Sequence, residues 1–201
     1  MKRIFFIVMI LAAGLCAKGQ TPDEVEIVSD GDVKLEVMNH DATADETPEQ
    51  IKERKKLIKE HEDMIAFAKA SNSMKRGYFV LLADHVSVGR SGYRHYDINS
   101  NSNFVLCQND DGIIQIALNS GSPGTNGLGG WTGKGTIRNK KIRYDKDGNV
   151  FMQYDLVSAK VNATVSITLY SNSNYALAQV TGGYPITIYG KILPYRDNEH
   201  R

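Results

Sequence analysis

Histidine and cysteine side chains are the first candidates for chemistry, because they supply metal ligands, nucleophiles and proton carriers. The 201-residue chain has five histidines and two cysteines. No two histidines have the short spacing that is typical of a zinc motif. We therefore expect no metal site and no cofactor. The histidines are His40, His61, His85, His95 and His200.

Cys107 lies in an alternating run, 103–109, which predicts a strand. Val105 shares its face, so the pattern favours a small core side chain over a nucleophile. The chain also lacks the Gly-x-Ser-x-Gly elbow that many serine hydrolases use. No catalytic residue is predicted. Scattered Ser, His and Asp side chains could still converge in space, and a hydrolase assembled in that way is the alternative.

The glycine-rich segment 121–130, GSPGTNGLGG, is the most distinctive candidate for a binding loop. A phosphate loop requires Gly-Lys-Ser/Thr and a following helix, whereas Lys134 is followed by Gly135 and a predicted strand. Two interpretations remain: a wide turn that lets a tryptophan pack closely, and a rim loop that contacts a ligand. The candidate binding residues are Asn126, Gly127, Leu128, Gly129, Gly130 and Trp131.

Four cationic side chains, Arg138, Lys140, Lys141 and Arg143, fall within six residues. As a functional site they would form a basic patch for an anionic partner. As a structural feature they would be a lysine-rich strand edge that prevents aggregation. The sequence leaves both interpretations open.

The segment that follows has acidic residues at alternate positions, Asp145 and Asp147, which superficially suggest a calcium loop. An EF-hand loop needs glycine at its sixth position, whereas Gly148 is the fourth residue of this stretch. Asp-Gly is instead a strong signal for a β-hairpin. We predict a hairpin turn here and no calcium site.

The first 19 residues have the pattern of a secretory signal peptide. Lys2 and Arg3 precede the apolar run 4–15, and the Ala17-Lys18-Gly19 sequence suits cleavage before Gln20. The run is shorter than the roughly 20 apolar residues that a membrane-spanning helix needs, so no transmembrane segment is expected after cleavage. We expect an exported protein of the periplasm or cell envelope. The alternative is a lipoprotein anchored at Cys16, although Leu15 fits a lipidation signal badly.

An acidic leader, residues 20–46, is expected to separate the signal peptide from a helix at 47–74. Residues 21–50 have ten carboxylates and a single lysine. Thr47 and Gln50 form a potential capping box, with Pro48 at the first helical position. An apolar stripe that includes Ile51 and Ile58 predicts one amphipathic α-helix, which we expect to end at Ser71-Asn72-Ser73.

From Gly77 onward the hydrophobic period changes to two, which predicts an antiparallel β-domain over residues 75–201 that packs with the helix. Eight alternating runs are separated by short turns, and residues 89–103 read as a polar loop. Connections this short leave no room for crossover helices. The fold class is therefore mainly β, an antiparallel β-barrel or β-sandwich of about eight strands preceded by one amphipathic α-helix. The runs are 77–88, 103–109, 112–119, 132–143, 149–157, 161–169, 174–182 and 185–193.

Several of these segments together resemble a known family. They are Ile116-Ala117-Leu118-Asn119, the loop 124–130, Gly135-Thr136-Ile137, Asp147-Gly148-Asn149 and the run 189–194, YGKILP. The chain is similar over about residues 47–195 to the exported Bacteroidetes proteins catalogued as domain of unknown function 4251. The resemblance implies a signal peptide, a charged helix and a β-rich domain. It does not account for the acidic leader, and it supplies no catalytic residue, cofactor or substrate.

Composition limits the possible functions further. The chain is 41% hydrophobic and 23% charged with a formal charge of +1, so it can bury a core and has no bulk charge that favours nucleic acid. We predict a non-catalytic binding module of the cell envelope. Its partner would be a small apolar molecule, a glycan or an envelope protein.

Overall fold

The computed structural model describes residues 47–89, 94–118, 124, 126, 129–183 and 185–195. The predicted signal peptide and acidic leader therefore lie outside the described residues. Within the described residues the chain forms one helix followed by nine strands. They are α1 (Pro48–Arg76), β1 (Tyr78–Val88), β2 (Arg94–Asp97), β3 (Phe104–Gln108), β4 (Asp111–Ile116), β5 (Trp131–Tyr144), β6 (Val150–Val157), β7 (Asn162–Leu169), β8 (Tyr175–Thr181) and β9 (Ile186–Pro194).

The start of α1 has the predicted capping box. The Gln50 amide donates to Thr47 Oγ1 at 3.4 Å, and the Thr47 amide donates to Gln50 Oε1 at 2.9 Å. The predicted end at Ser71-Asn72-Ser73 is wrong, because the helix continues to Arg76. The Ser73 hydroxyl donates to the Ala70 carbonyl inside the helix, so it does not compete for a cap. Gly77, with φ of 77°, provides the left-handed C-cap.

Eight of the strands close into an antiparallel barrel, which confirms the predicted fold class and selects a barrel over a sandwich. Strands β3 to β9 pair in chain order, and β1 pairs with both β3 and β9. The seam between β1 and β9 brings Phe79 opposite Pro194 and Val88 opposite Ile186. Among the described residues no helix is long and apolar enough to cross a membrane.

A β-bulge at Asp84 reverses the inward and outward positions of β1. Before it, Leu81 and Ala83 are fully buried, and after it Val86 is fully buried. His85 and Ser87 consequently lie on the outer face of the barrel, because successive side chains in a strand alternate between faces.

The predicted polar loop 89–103 is partly wrong, because it contains β2. This strand pairs antiparallel with the second half of β1, where Ser87 lies opposite His95 and His85 lies opposite Asp97. The first half of β1 pairs with β3 instead. A four-residue strand of mainly polar side chains has no hydrophobic alternation, which is why the sequence pattern missed it.

Large apolar side chains fill the barrel interior, among them Phe79, Ile114, Met152 and Leu156. At the end where β1 begins, Ala70 and Met74 of α1 are fully buried against this core. We call this the helix end, and the opposite end, where Val88 lies, the far end. An eight-stranded barrel has room for packed side chains or for one small ligand, and here side chains occupy most of it.

Candidate functional site

A cavity of about 290 Å³ lies at the far end of the barrel. Its walls are formed by the start of β5, the β6–β7 turn with the start of β7, the end of β8 and the start of β9. The size is close to the lower end of the range for small-molecule sites, roughly 300–1,000 Å³. The lining residues are Trp131, Lys160, Val161, Asn162, Ala163, Val180, Thr181, Gly182, Gly183 and Ile186.

Trp131 forms one wall because Gly133 leaves space for its ring. A Cβ at Gly133 would lie 2.5 Å from two indole carbons and 3.2 Å from Val161 Cγ2. The glycine therefore fixes where the indole lies on the barrel rim. Trp131 is half-buried and packs against the edge of the core.

Two tight turns shape the remaining walls. In the β6–β7 turn the Ser158 hydroxyl accepts from the amides of Lys160, at 3.3 Å, and Val161, at 3.2 Å. In the β8–β9 turn Gly182 has φ of 130°, and a Cβ there would collide with the Asn162 carbonyl oxygen. These contacts hold both turns close together, so the cavity is preformed.

The lining is mainly apolar with one cation at its mouth. Val161, Ala163 and Val180 are at most 7% exposed and form the floor, whereas Lys160 is exposed. None of the described residues that line the cavity is acidic. An apolar surface beside a single ammonium suits a molecule with an apolar body and a negative group.

Hydrogen bonds of the Asn126 side chain hold the described part of the glycine-rich loop against the ends of β4 and β5. The Asn126 side-chain amide donates to the Ile116 carbonyl at 2.9 Å and to Thr132 Oγ1 at 3.3 Å, and its oxygen accepts from the Gly130 amide at 3.1 Å. A Cβ at Gly130 would collide with the Ile116 carbonyl oxygen. Asn126, Gly129 and Gly130 thus join the end of β4 to the start of β5, and of the four candidate residues that the structure describes only Trp131 lines the cavity.

Two of the six candidate binding residues, Gly127 and Leu128, lie outside the described residues. The sequence also missed most of the cavity lining, which comes from the two turns after β6 and β8. These turns carry Lys160 and the Gly182-Gly183 pair. The only sequence signal for them was turn chemistry, which does not show that two turns distant in sequence meet at one barrel end.

The basic run lies on β5 and is divided by a second bulge. Ile137 and Ile142 both face the core, so Arg138, Lys141 and Arg143 share the outer face. Lys140 lies in the bulge, and its ammonium donates to the Asn109 carbonyl at 3.3 Å. The four cations are exposed, but the structure places three of them together and the fourth elsewhere.

Arg143 of this run stacks over the Phe151 ring, with 4.9 Å between the guanidinium carbon and the ring centroid. This part of β5 pairs with β6 only, since β4 pairs with β5 no further than Thr136. Among the described strands the basic run therefore lies on a local strand edge.

Cys107 is a core residue, as predicted. It is fully buried, and its thiol donates to the Gly77 carbonyl at 3.4 Å. Burial raises the pKa of the Cys107 thiol to about 11. At neutral pH the group is therefore a protonated thiol, which is a poor nucleophile.

The predicted hairpin turn at Asp145–Asn149 is also confirmed. One Asp145 carboxylate oxygen accepts from the amides of Asp147 and Asn149, each at 2.9 Å, and the other accepts from the Asn149 side chain at 2.8 Å. These hydrogen bonds, with the Asn149 side chain first among them, lower the pKa of Asp145. The Asp145 carboxylate therefore stabilises the turn through hydrogen bonds to the turn's own residues.

A chain of four polar side chains on the outer face of β1 and β2 was not predicted. Asp97 Oδ1 lies 2.8 Å from His85 Nδ1, and His85 Nε2 lies 3.3 Å from His95 Nδ1. Ser87 Oγ is 2.8 Å from the same His95 nitrogen. The signal in the sequence was two i, i+2 pairs, His85 with Ser87 and His95 with Asp97, which a hairpin places opposite each other.

This histidine cluster, His85, Ser87, His95 and Asp97, does not have the geometry of a serine hydrolase site. Ser87 is only 2% exposed, so a substrate carbonyl cannot reach its hydroxyl. In the described part of the chain no group of three or more His, Cys, Asp or Glu side chains is placed to hold a metal ion. Within the cluster, only two histidine nitrogens face each other.

Comparisons with known proteins agree with this architecture. The family described as "Domain of unknown function (DUF4251)" matches residues 61–192. The crystal structure of a DUF4251 family protein from Bacteroides eggerthii is similar, with 30% sequence identity and a TM-score of 0.57, and the match covers 67% of this chain and 91% of that one. No curated protein matches the chain. On the extent of the family match, the chain belongs to the DUF4251 family.

Proposed function

We propose that the protein is a non-catalytic binding module whose ligand is a small apolar molecule with a negatively charged group. The observation that carries this proposal is the preformed cavity at the far end, with apolar walls and Lys160 at its mouth. Burying an apolar body there removes its surface from water, at about 25 cal/mol per Å². The Lys160 ammonium then pairs with the negative group outside the apolar floor.

The lining favours such a ligand over a glycan. Its fixed surfaces are one indole and the aliphatic side chains of Val161, Val180 and Ile186, whereas only Asn162 and Thr181 add polar side chains besides Lys160. A sugar would leave several hydroxyls without partners, and each unpaired hydroxyl is costly to desolvate. A partner protein would be too large for a cavity of about 290 Å³.

We further propose that the protein is exported and works in the periplasm or cell envelope. The support is the charged residues, apolar run and small-x-small cleavage pattern of residues 1–19. Mass spectrometry of the mature protein tests this proposal. A chain that starts at Gln20 agrees with it, whereas a diacylglyceryl group on Cys16 would show an anchored lipoprotein instead.

We also propose a binding function in preference to the alternative, a hydrolase. The strongest support for catalysis is the 2.8 Å approach of Ser87 to His95. A nucleophile must reach the carbon that it attacks, and Ser87 is 98% covered by its neighbours. The cavity has accessible surface but contains only one ionisable side chain, Lys160, among its described lining residues.

Tryptophan fluorescence provides a direct test, because Trp131 is the single tryptophan of the chain. We would titrate the mature protein with decanoate and with decanol, which share an apolar chain and differ in charge. Saturable fluorescence changes are expected for both ligands, with tighter binding of decanoate. Lys160→Glu should weaken decanoate binding about tenfold, equivalent to roughly 1.4 kcal/mol, and leave decanol binding unchanged.

Lys146→Glu is the matched control, because it makes the same charge change in the turn at the helix end. It should leave both affinities unchanged. Thr181→Phe, at an exposed lining position, should weaken both ligands by narrowing the cavity. If neither ligand changes the fluorescence, or if Thr181→Phe has no effect, the cavity is not the binding site. Equal effects of the two lysine substitutions would refute the role of Lys160.

A further inference from the structure

The histidine cluster brings two ring nitrogens of neighbouring strands close to each other. The two facing nitrogens, His85 Nε2 and His95 Nδ1, are 3.3 Å apart. N–H···O hydrogen bonds in proteins have donor–acceptor distances of about 2.7–3.2 Å. The pair is therefore close enough to interact but longer than a strong hydrogen bond.

That separation matches two nitrogen ligands on one tetrahedral metal ion. Zn–N bonds of about 2.05 Å at a tetrahedral angle of about 109° place the two nitrogens roughly 3.3 Å apart. The rings of His85 and His95 have centroids 5.4 Å apart and planes inclined by 26°.

Asp97 and Ser87 occupy the positions that supporting residues of a metal site take. Asp97 Oδ1, 2.8 Å from His85 Nδ1, accepts a hydrogen bond from that N–H and leaves the lone pair on Nε2 for a metal. Such a carboxylate orients a histidine ligand and increases its basicity. The Ser87 hydroxyl next to His95 Nδ1 can rotate its hydrogen away from an incoming cation.

The cluster is also accessible and rigidly positioned. The His85 side chain is 32% exposed, and His95 is exposed. Antiparallel pairing places His85 opposite Asp97 and Ser87 opposite His95, and the Tyr189 ring contacts the His85 ring edge-on with centroids 5.7 Å apart. The backbone ladder therefore fixes both histidines before any ion binds.

We propose that His85 and His95 form a two-histidine site for a divalent transition-metal ion, with Asp97 as the residue that orients His85 and water completing the coordination. Neutral imidazole suits Zn²⁺, Ni²⁺ and Cu²⁺. A bound ion would link β2 to β1 directly. This site lies on the outer barrel face and is independent of the far-end cavity.

Isothermal titration with Zn²⁺ tests the proposal on the mature chain, purified without an affinity tag. We expect one equivalent of Zn²⁺ to bind to this site, and this equivalent to be lost in His95→Ala. Asp97→Asn should keep the stoichiometry but weaken binding about 10- to 100-fold, the effect typical of residues that orient a metal ligand.

His61→Ala on α1 is the control, because it removes an exposed histidine outside the cluster and should leave the affinity unchanged. His95 is exposed on a short outer strand, so its replacement should not unfold the barrel, and circular dichroism would verify this. Zinc binding that is equal in the parent and His95→Ala proteins would overturn the proposal. The absence of binding at sub-millimolar Zn²⁺ would overturn it as well.

Discussion

The Tyr154 hydroxyl tests how much a buried polar group without a hydrogen bond costs in the stability of the barrel. Tyr154 is 1% exposed, and its hydroxyl oxygen makes no hydrogen bond with any described residue. Burial, and to a lesser degree the nearby Cys107, raises the pKa of Tyr154. The phenol therefore stays protonated in the folded protein, and its O–H has no acceptor in the part of the chain that the structure describes.

Tyr154→Phe should stabilise the protein. Desolvating a hydroxyl without a replacement hydrogen bond costs about 1–3 kcal/mol, and the small void left by the oxygen offsets part of the gain. We expect the free energy of unfolding to rise by about 1–2 kcal/mol. For a folded unit of about 150 residues, this corresponds to an increase in Tm of roughly 2–8 °C.

Urea denaturation of the parent and variant proteins measures this difference, with Tyr170→Phe as the control. Tyr170 is 43% exposed, so removing its hydroxyl should change stability by less than about 0.5 kcal/mol. If Tyr154→Phe lowers stability by 1 kcal/mol or more while Tyr170→Phe does not, the Tyr154 hydroxyl has a partner and the reasoning is wrong.

Three further predictions concern the barrel seam, a turn and the thiol. Gly190→Ala should lower Tm by roughly 5–10 °C in a thermal melt, because the added Cβ would collide with the Leu82 carbonyl across the β1–β9 seam. Gly183→Ala is the control and should change Tm little, because a Cβ at Gly183 meets nothing within 4 Å. The lowered pKa of Asp145 gives stability that is present above the unfolded pKa and lost as pH falls through the folded pKa. Asp145→Asn should therefore reduce the loss of stability below about pH 4, as measured by urea titrations at several pH values. The buried Cys107 thiol should resist a thiol reagent in the folded protein and react fully in denaturant, and rapid native labelling would contradict its burial.

Much of the fold could be predicted because the local sequence patterns of the chain, its helix cap and its strand alternation, agree with the structure that forms. The capping box at Thr47 and the clean alternation of β7 each point to one structure, so the helix start and this strand follow from pattern alone. The helix end could not be placed from Ser71–Ser73, because a buried serine can return its hydrogen bond to the preceding turn. Pattern also could not choose between barrel and sandwich, since the β1–β9 pairing is long-range.

The candidate sites were harder to predict because they depend on pairing between segments. The cavity requires the turns that carry Lys160 and Gly182 to meet, and neither turn has a distinctive motif. The histidine cluster requires the bulge at Asp84, which turns His85 outward, together with the unforeseen strand β2. A bulge inserts one residue and inverts every later position, so alternation counts cannot anticipate it.

The seam that closes the barrel also controls when this chain can fold. Phe79 pairs with Pro194, 115 positions later, so almost the whole β-domain must be synthesised before β1 obtains one of its neighbours. Until then β1 presents unpaired amides and carbonyls along one edge, the kind of edge that recruits other chains into aggregates. Contacts this distant in sequence also slow folding, because the loop must close before the pairing is gained. Pairing of β9 with β1 is thus the step that turns a chain with open strand edges into a closed barrel.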